Sequence, residues 1–135
     1  MKPLPRAVKD FLRDAPVCRI ATVLPNGSPH VSPVCPVFDG KTMFIDVSHV
    51  GGTANALKAD RRLTVLIDDY YDDWSRLWGV ILRTRAREVK GEEKKAAWRR
   101  IRRKFPQSRK AGWNPRLTLA LRIVSWQQWG ISGKA

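Results

Sequence analysis

The first third of the chain alternates short runs of apolar and β-branched residues with pairs that favour tight turns. The runs predict strands at Arg19–Leu24, His30–Phe38 and Thr42–Val47. Asn26-Gly27 tolerates the positive φ angles of a hairpin turn, and Asp39-Gly40 marks a second turn. The pattern therefore predicts sequential antiparallel strands.

Three further strands follow in the rest of the chain. Leu63–Ile67 is a continuous apolar run, which is typical of a central strand buried on both faces. Trp78–Val89 gives a long strand whose second half places three arginines on the outward face, and Leu117–Val124 gives the last strand. Six strands in sequence favour a closed or partly split antiparallel barrel.

Three segments have apolar residues at helical spacing. They are Pro5–Asp14, Thr53–Ala59 with Thr53 as its N-cap, and Gly91–Lys104, which Pro106 ends. These helices are short beside the six strands, so we expect them to lie at the periphery of the barrel.

Composition limits the class of protein. A chain of 135 residues fits one domain, and no apolar stretch approaches the ~18 residues that a membrane span needs. We expect a cytoplasmic protein without a membrane partner. Cys18 and Cys35 have no CxxC spacing, and the two histidines lack partners at metal-ligand spacing, so neither a disulfide framework nor a metal site is predicted.

The positive charge is concentrated in one part of the chain. Of the net charge of +14, the stretch from Arg83 to Arg116 contributes 14 lysines and arginines minus 3 glutamates, or +11. Within it, the segment Lys94–Lys104 is cationic around much of its circumference. This segment fits either a solvated helix, which we favour, or a surface that binds nucleic acid.

The hairpin residues resemble a known family. Arg19-Ile20-Ala21-Thr22-Val23 and Pro29-His30-Val31-Ser32-Pro33-Val34 are similar to the two opening strands of the pyridoxamine 5'-phosphate oxidase-like split barrels. The likeness covers almost the whole chain, and it implies one six-stranded antiparallel split β-barrel over residues 1–135. The likeness to the family continues through segments 42–47, 54–63 and 72–78. Segments 105–107 and 126–129 look like the branch of deazaflavin (F420)-dependent oxidoreductases.

The resemblance implies a homodimer that binds FMN, or alternatively F420, and acts as an oxidoreductase on a small substrate. It places the ring of the cofactor beside Val31, Ser32, Pro33 and Val34. Four tryptophans could cover a ring or line a dimer interface. We assign one of them, Trp78, to the cofactor site.

The residues depart from the family pattern where the cofactor phosphate usually sits. Gly51, Gly52 and Thr53 stand where a hydroxyl and a basic pair are expected, and Asp46 before them would repel a phosphate. Backbone amides of the two glycines could hold it, assisted by Ser48, Thr53, Asn55 and Lys58. Alternatively, Arg83, Arg85 or a partner subunit could supply the charge, or the phosphate site has been lost.

No catalytic residue emerges from the sequence. No Ser-His-Asp or Cys-His grouping can be assembled, although a flavin enzyme needs none because the cofactor carries the hydride chemistry. The alternative function is a non-enzymatic split-barrel protein with a degenerate cofactor site, or a basic module for nucleic acid. A haem role could use His30 or His49, but one loop histidine does not support it.

Overall fold

The structure, a computed structural model, describes residues 1–130. One antiparallel sheet curls into a split barrel, with strand order β2-β1-β5-β6-β7-β4-β3. Its strands are β1 (Cys18–Val23), β2 (Pro29–Val34), β3 (Val37–Phe38), β4 (Thr42–Val47), β5 (Arg62–Asp69), β6 (Trp78–Glu88) and β7 (Leu117–Gly130). The helices are α1 (Arg6–Asp14), α2 (Gly52–Leu57), α3 (Gly91–Lys104) and α4 (Gln107–Lys110), with a 3₁₀ turn at Trp74–Arg76.

The predicted mainly β split barrel is confirmed, but its strand count was wrong because the segment His30–Phe38 forms two strands. β2 pairs with β1, whereas β3 pairs with β4. The chain changes partners at Pro36, which has no N–H for a sheet ladder. The ammonium of Lys104 donates to the carbonyls of Pro36 at 2.8 Å and Ala15 at 2.6 Å, so α3 fastens this break.

The turn at Asn26-Gly27 forms as predicted. Gly27 has φ +87°, and the Asn26 side chain accepts a bond from the Ser28 N–H at 3.0 Å. Thr53, by contrast, was wrongly predicted as the cap of α2. The helix begins one residue earlier, Gly51 occupies the cap position, and no side chain caps it.

β7 is longer than predicted and contains a bulge. Arg83 pairs with Ser125 and the next residue, Thr84, pairs with Ile123, so Val124 has no partner. The bulge places Trp126 against the barrel core, where its indole donates to the Lys2 carbonyl at 3.0 Å. Trp129 lies on the other face, over Gly79.

Two apolar clusters hold the fold together. The larger cluster fills the barrel and includes the fully buried Ile20, Ile45, Val65, Leu82 and Leu121. The second lies outside the sheet, where α3 packs against β3, β4 and β7 through Ala97, Trp98, Ile101, Phe105, Val37, Phe44 and Ala120. Because α3 covers this side of β4, it also forms a wall of the opening between β4 and β2.

No helix among residues 1–130 is long and apolar enough to cross a membrane.

Candidate functional site

A cavity of about 710 Å³ lies along the split, where β2 at one end of the sheet faces β4 near the other. We call it the seam cavity. Its other walls are residues 48–53, which lead into α2, one flank of α3, and the connector residues 113–116. The volume is within the range of ~300–1,000 Å³ that is usual for small-molecule and cofactor sites.

β2 presents alternate residues to the seam cavity. His30, Ser32 and Val34 are half-buried and lie on the face that continues into the barrel, whereas Val31 is 62% exposed on the opposite face. Pro33 also contributes to the cavity wall. The strand thus offers one hydroxyl, one imidazole and an apolar surface.

The start of α2 lies directly against β2. The Thr53 hydroxyl is 3.4 Å from the Ser32 hydroxyl, and the His30 ring lies over Gly52. A β-carbon at Gly52 would come within 2.5 Å of His30 Cε1, so only glycine leaves the imidazole in this place. His30 makes no side-chain hydrogen bond within residues 1–130.

A hydrogen-bonded network lines the side opposite β2. The Asp46 carboxylate accepts from the Arg116 N–H at 3.0 Å, from Arg116 Nε at 3.2 Å and from the Thr118 hydroxyl at 2.8 Å. The same hydroxyl accepts from the Trp98 indole at 3.0 Å. The Asp46 side chain is only 10% exposed, and both of its oxygens accept hydrogen bonds, two of them from Arg116, which it holds at the cavity.

Arg116 is the functional candidate that the sequence analysis missed. In the sequence it is the last cation before the predicted strand Leu117–Val124, 70 positions from Asp46. Only the pairing of β4 with β7, which puts Asp46 opposite Thr118, brings the two together. The expectation that Asp46 would repel a phosphate did not consider this neutralising partner.

The two cysteines lie on different sides of the cavity wall. Cys35 is half-buried and lines the seam cavity, whereas Cys18 is fully buried in the barrel core. Burial, with a smaller contribution from nearby Cys35, raises the pKa of the Cys18 thiol to about 12. Cys18 is therefore a structural residue, and Cys35 is the thiol that a ligand in the cavity would touch.

The structure brings most of the predicted site residues together. Seven of them line the seam cavity: Ser32, Pro33, Val34, Ser48, Gly51, Gly52 and Thr53. Val31, Asn55, Lys58 and Trp78 do not line it. Lys58 is exposed at the end of α2, and Trp78 packs on Phe11 with ring centroids 3.9 Å apart.

Arg83 and Arg85, considered as alternative phosphate ligands, are exposed on the outer face of β6 and do not line the cavity. Within residues 1–130, no group of three or more histidine, cysteine, aspartate or glutamate side chains could hold a metal ion.

Comparison with known proteins agrees with this architecture. The family model described as pyridoxamine 5'-phosphate oxidase matches residues 4–130. No protein of curated function matches the sequence.

Many solved structures have the same fold, among them these three. A protein of unknown function from Agrobacterium tumefaciens has a TM-score of 0.80 and 20% identity, and the match covers 96% of this chain but 60% of that longer chain. HutZ, the heme storage protein from Vibrio cholerae, has a TM-score of 0.78 and 15% identity, with 96% and 95% of the two chains covered. A FAD-binding protein from Mesorhizobium loti has a TM-score of 0.69 and 17% identity, with 88% and 87% covered.

Proposed function

The chain belongs to the pyridoxamine 5'-phosphate oxidase family, and we propose that its seam cavity binds a flavin nucleotide and that the protein is a flavin-dependent oxidoreductase. FMN is the cofactor we favour, with the deazaflavin F420 as the alternative. The observation that carries the proposal is the combination, in one cavity, of apolar walls with the cation of Arg116, which is held in place by the nearly buried carboxylate of Asp46.

The apolar part of the seam cavity suits a flat ring system. Val34 and Val47 face it from β2 and β4, and Ile101 and Trp113 face it from α3 and the connector. Ser32 supplies a hydroxyl on the same wall. Cofactor sites are commonly built in this way, with mostly apolar surface and a few polar groups that fix orientation.

The polar part suits a phosphate. Arg116 uses Nε to bind Asp46, and the two terminal nitrogens of its guanidinium fork remain unbonded within residues 1–130. Hydroxyls of Ser48 and Thr53 line the same cavity. A guanidinium with two parallel donors matches phosphate geometry, so Arg116 takes the place of the basic pair that the family pattern leads one to expect.

A bound flavin would supply the hydride or electron transfer itself. The residues of this chain bind and orient the cofactor: Arg116 holds the phosphate, β2 supports the ring, and Trp113 and Ile101 exclude water. No side chain is assigned a covalent or acid-base step.

We also propose that the protein is a homodimer. β2 is an edge strand with exposed Val31 and Pro33, and nothing within residues 1–130 pairs with its free side. Sheet edges of this kind are normally covered. Analytical ultracentrifugation should give twice the mass of one chain, and a monomer at micromolar concentration would contradict this part of the proposal.

The test of the proposal is to titrate the purified protein with FMN and F420 and to follow flavin fluorescence or absorbance. Arg116→Gln should weaken binding of the favoured cofactor by at least tenfold because it removes a charge-assisted phosphate contact. Arg100→Gln, on the exposed surface of α3 outside the cavity, is the matched control. Equal affinities for both variants would overturn the role of Arg116, and no binding of either flavin would favour the non-enzymatic alternative.

A second candidate is haem binding, which one observation favours. The His30 imidazole faces the seam cavity without a hydrogen-bond partner, and such a nitrogen is free to ligate iron. The similarly folded HutZ is a heme storage protein. Haem titration of the wild type and His30→Ala distinguishes the candidates: a Soret shift lost in the variant supports haem, whereas an unchanged Soret band excludes His30 as the ligand.

A further inference from the structure

A second concave surface lies on the other side of Trp98 from the seam cavity. It is a groove of about 930 Å³ between α3, α4 and the connector that precedes β7. We call it the basic groove. Six cations line it: Lys94, Lys95, Arg99, Arg102, Arg103 and Arg109. Among its lining residues within 1–130 there is no carboxylate.

Half of these cations are already engaged. Lys94 donates to the Arg116 carbonyl at 2.7 Å, and Lys95 forms an exposed ion pair with Glu92 at 3.3 Å. Arg102 donates to the Trp113 carbonyl at 3.2 Å, and its guanidinium lies 5.2 Å from the centre of the Trp98 ring. These contacts fix the floor and one wall of the basic groove.

The other three cations have no partner within the part of the chain that is described. Arg99, Arg103 and Arg109 are exposed, and none makes an ion pair or a side-chain hydrogen bond there. Arg99 and Arg103 are one helical turn apart, ~6 Å along the axis of α3, and Arg109 lines the same groove from α4. Such a group of like charges repels itself, and an anion that contacts several of them relieves the repulsion.

We propose that the basic groove binds single-stranded nucleic acid, with Arg99, Arg103 and Arg109 on successive phosphates. Three arginines spread over two helices of one groove suit a ligand with several charges rather than one compact anion. The backbone carbonyl of Trp113 accepts from Arg102, which places this residue next to the groove. Its ring is 55% exposed and lines the adjoining seam cavity, so a base that extends past the groove at this point can stack on it. Cationic grooves with adjacent aromatic rings are the usual form of sequence-tolerant single-strand sites.

The groove favours this ligand over two other polyanions. An acidic peptide would use the arginines but has no base to stack on the exposed Trp113 beside the groove. An anionic membrane is a flat surface, whereas the arginines line a concave one. A duplex presents its bases already stacked, so Trp113 favours a single strand.

The decisive experiment measures binding of a fluorescent dT12 oligonucleotide to the full chain by anisotropy. The test variant is Arg99→Gln/Arg103→Gln/Arg109→Gln, and the control is Arg19→Gln/Lys41→Gln/Arg100→Gln, which removes three exposed cations elsewhere. We expect the test variant to lose at least tenfold in affinity and the control to stay within about threefold. Equal losses would show only a net-charge effect and would overturn the proposal.

The salt dependence gives an independent reading. Because single strands release counterions with a slope of about −0.7 per phosphate contact, loss of three contacts should flatten the plot of log K against log salt by about 2. The control variant should keep the wild-type slope. An unchanged slope in the test variant would contradict the assignment of these arginines to phosphates.

A third experiment tests whether a base stacks on Trp113. Trp113→Ala should weaken dT12 binding by about tenfold but leave heparin binding within about twofold, since stacking on an aromatic ring is worth ~1–3 kcal/mol per base. Equal effects on both ligands, or duplex DNA bound as tightly as dT12, would overturn the choice of a single strand. The three groove arginines do not line the seam cavity, so flavin binding by the test variant separates this proposal from the proposed function.

Discussion

The seam cavity and the basic groove share Trp98 but satisfy their polar groups in opposite ways. In the cavity, every polar group of the network around Asp46 has a hydrogen-bond partner: the Asp46 carboxylate, the Thr118 hydroxyl and the Trp98 indole. This network orients the Arg116 guanidinium. In the groove, three arginines have no partner within residues 1–130. A satisfied network favours one ligand of fixed shape, whereas unpaired cations favour any ligand with charges in a row.

The two regions also differ in how they are assembled. The basic groove comes from one stretch, residues 91–115, so its charge is visible in the sequence. The seam cavity needs residues from 30 to 116 and exists only because the sheet brings β2 and β4 to face each other. Local charge is therefore predictable here, and a composite cavity is not.

The largest expected effect is the difference in thiol reactivity between Cys35, in the cavity wall, and Cys18, in the core. Since the pKa of Cys18 is about 12 against an ordinary 9.0, its thiolate fraction at pH 8 is lower by about a thousandfold. Ellman's reagent should label one thiol, Cys35, in the native protein and two in urea. FMN should slow the labelling of Cys35, whereas dT12 in the groove should not; rapid labelling of Cys18 would contradict the assignment.

The raised pKa of Cys18 also predicts how the free energy of unfolding changes with pH. Between pH 9.0 and about 12 the folded protein keeps the Cys18 proton that the unfolded chain releases, so the free energy of unfolding should fall as pH rises through this window. Cys18→Ala should flatten that fall.

The next effect is a difference in stability between variants of the seam cavity and variants of the basic groove. Asp46→Ala leaves the Thr118 hydroxyl and Arg116 without their acceptor, and we expect a loss of about 1–3 kcal/mol in the free energy of unfolding in urea. The triple groove variant should unfold at the same or a higher urea concentration because it removes only repulsion. If Asp46→Ala unfolds like the wild type, the network does not stabilise the cavity.

The smallest effect concerns one methyl group. Gly52→Ala should push the His30 ring into the seam cavity and weaken FMN binding by about tenfold, while dT12 binding stays unchanged. Truncating His30 removes the clash, so Gly52→Ala/His30→Ala should recover most of the affinity. A double variant as weak as Gly52→Ala alone would show that the ring is not the obstacle.

Local patterns predicted most of the fold. The bounds of α3, Gly91–Lys104, follow from its spacing and from Pro106, and the hairpin follows from Asn26-Gly27. The division between β2 and β3 was missed because β-branched residues continue across Pro36, and only the change of partner strand reveals it.

Only part of the candidate site was predicted from the sequence. The glycines, hydroxyls and β2 residues lie close in sequence and were found together. Asp46 and Arg116 were missed as a pair because strand register, rather than sequence distance, makes them neighbours. Trp78 was assigned to the site because a tryptophan side chain can cover a ring, although it packs on Phe11 and does not line the cavity.

The bulge at Val124 sets where the length of β7 can change. On the N-terminal side of the bulge, Leu121 and Ile123 face the barrel core. On its C-terminal side Trp126 faces the core, because two successive residues, Val124 and Ser125, lie on the outer face between them. A residue deleted at the bulge leaves every side chain on its present face, whereas one deleted from either flanking segment reverses part of the strand. Insertions and deletions among relatives should therefore collect at this one point of the strand.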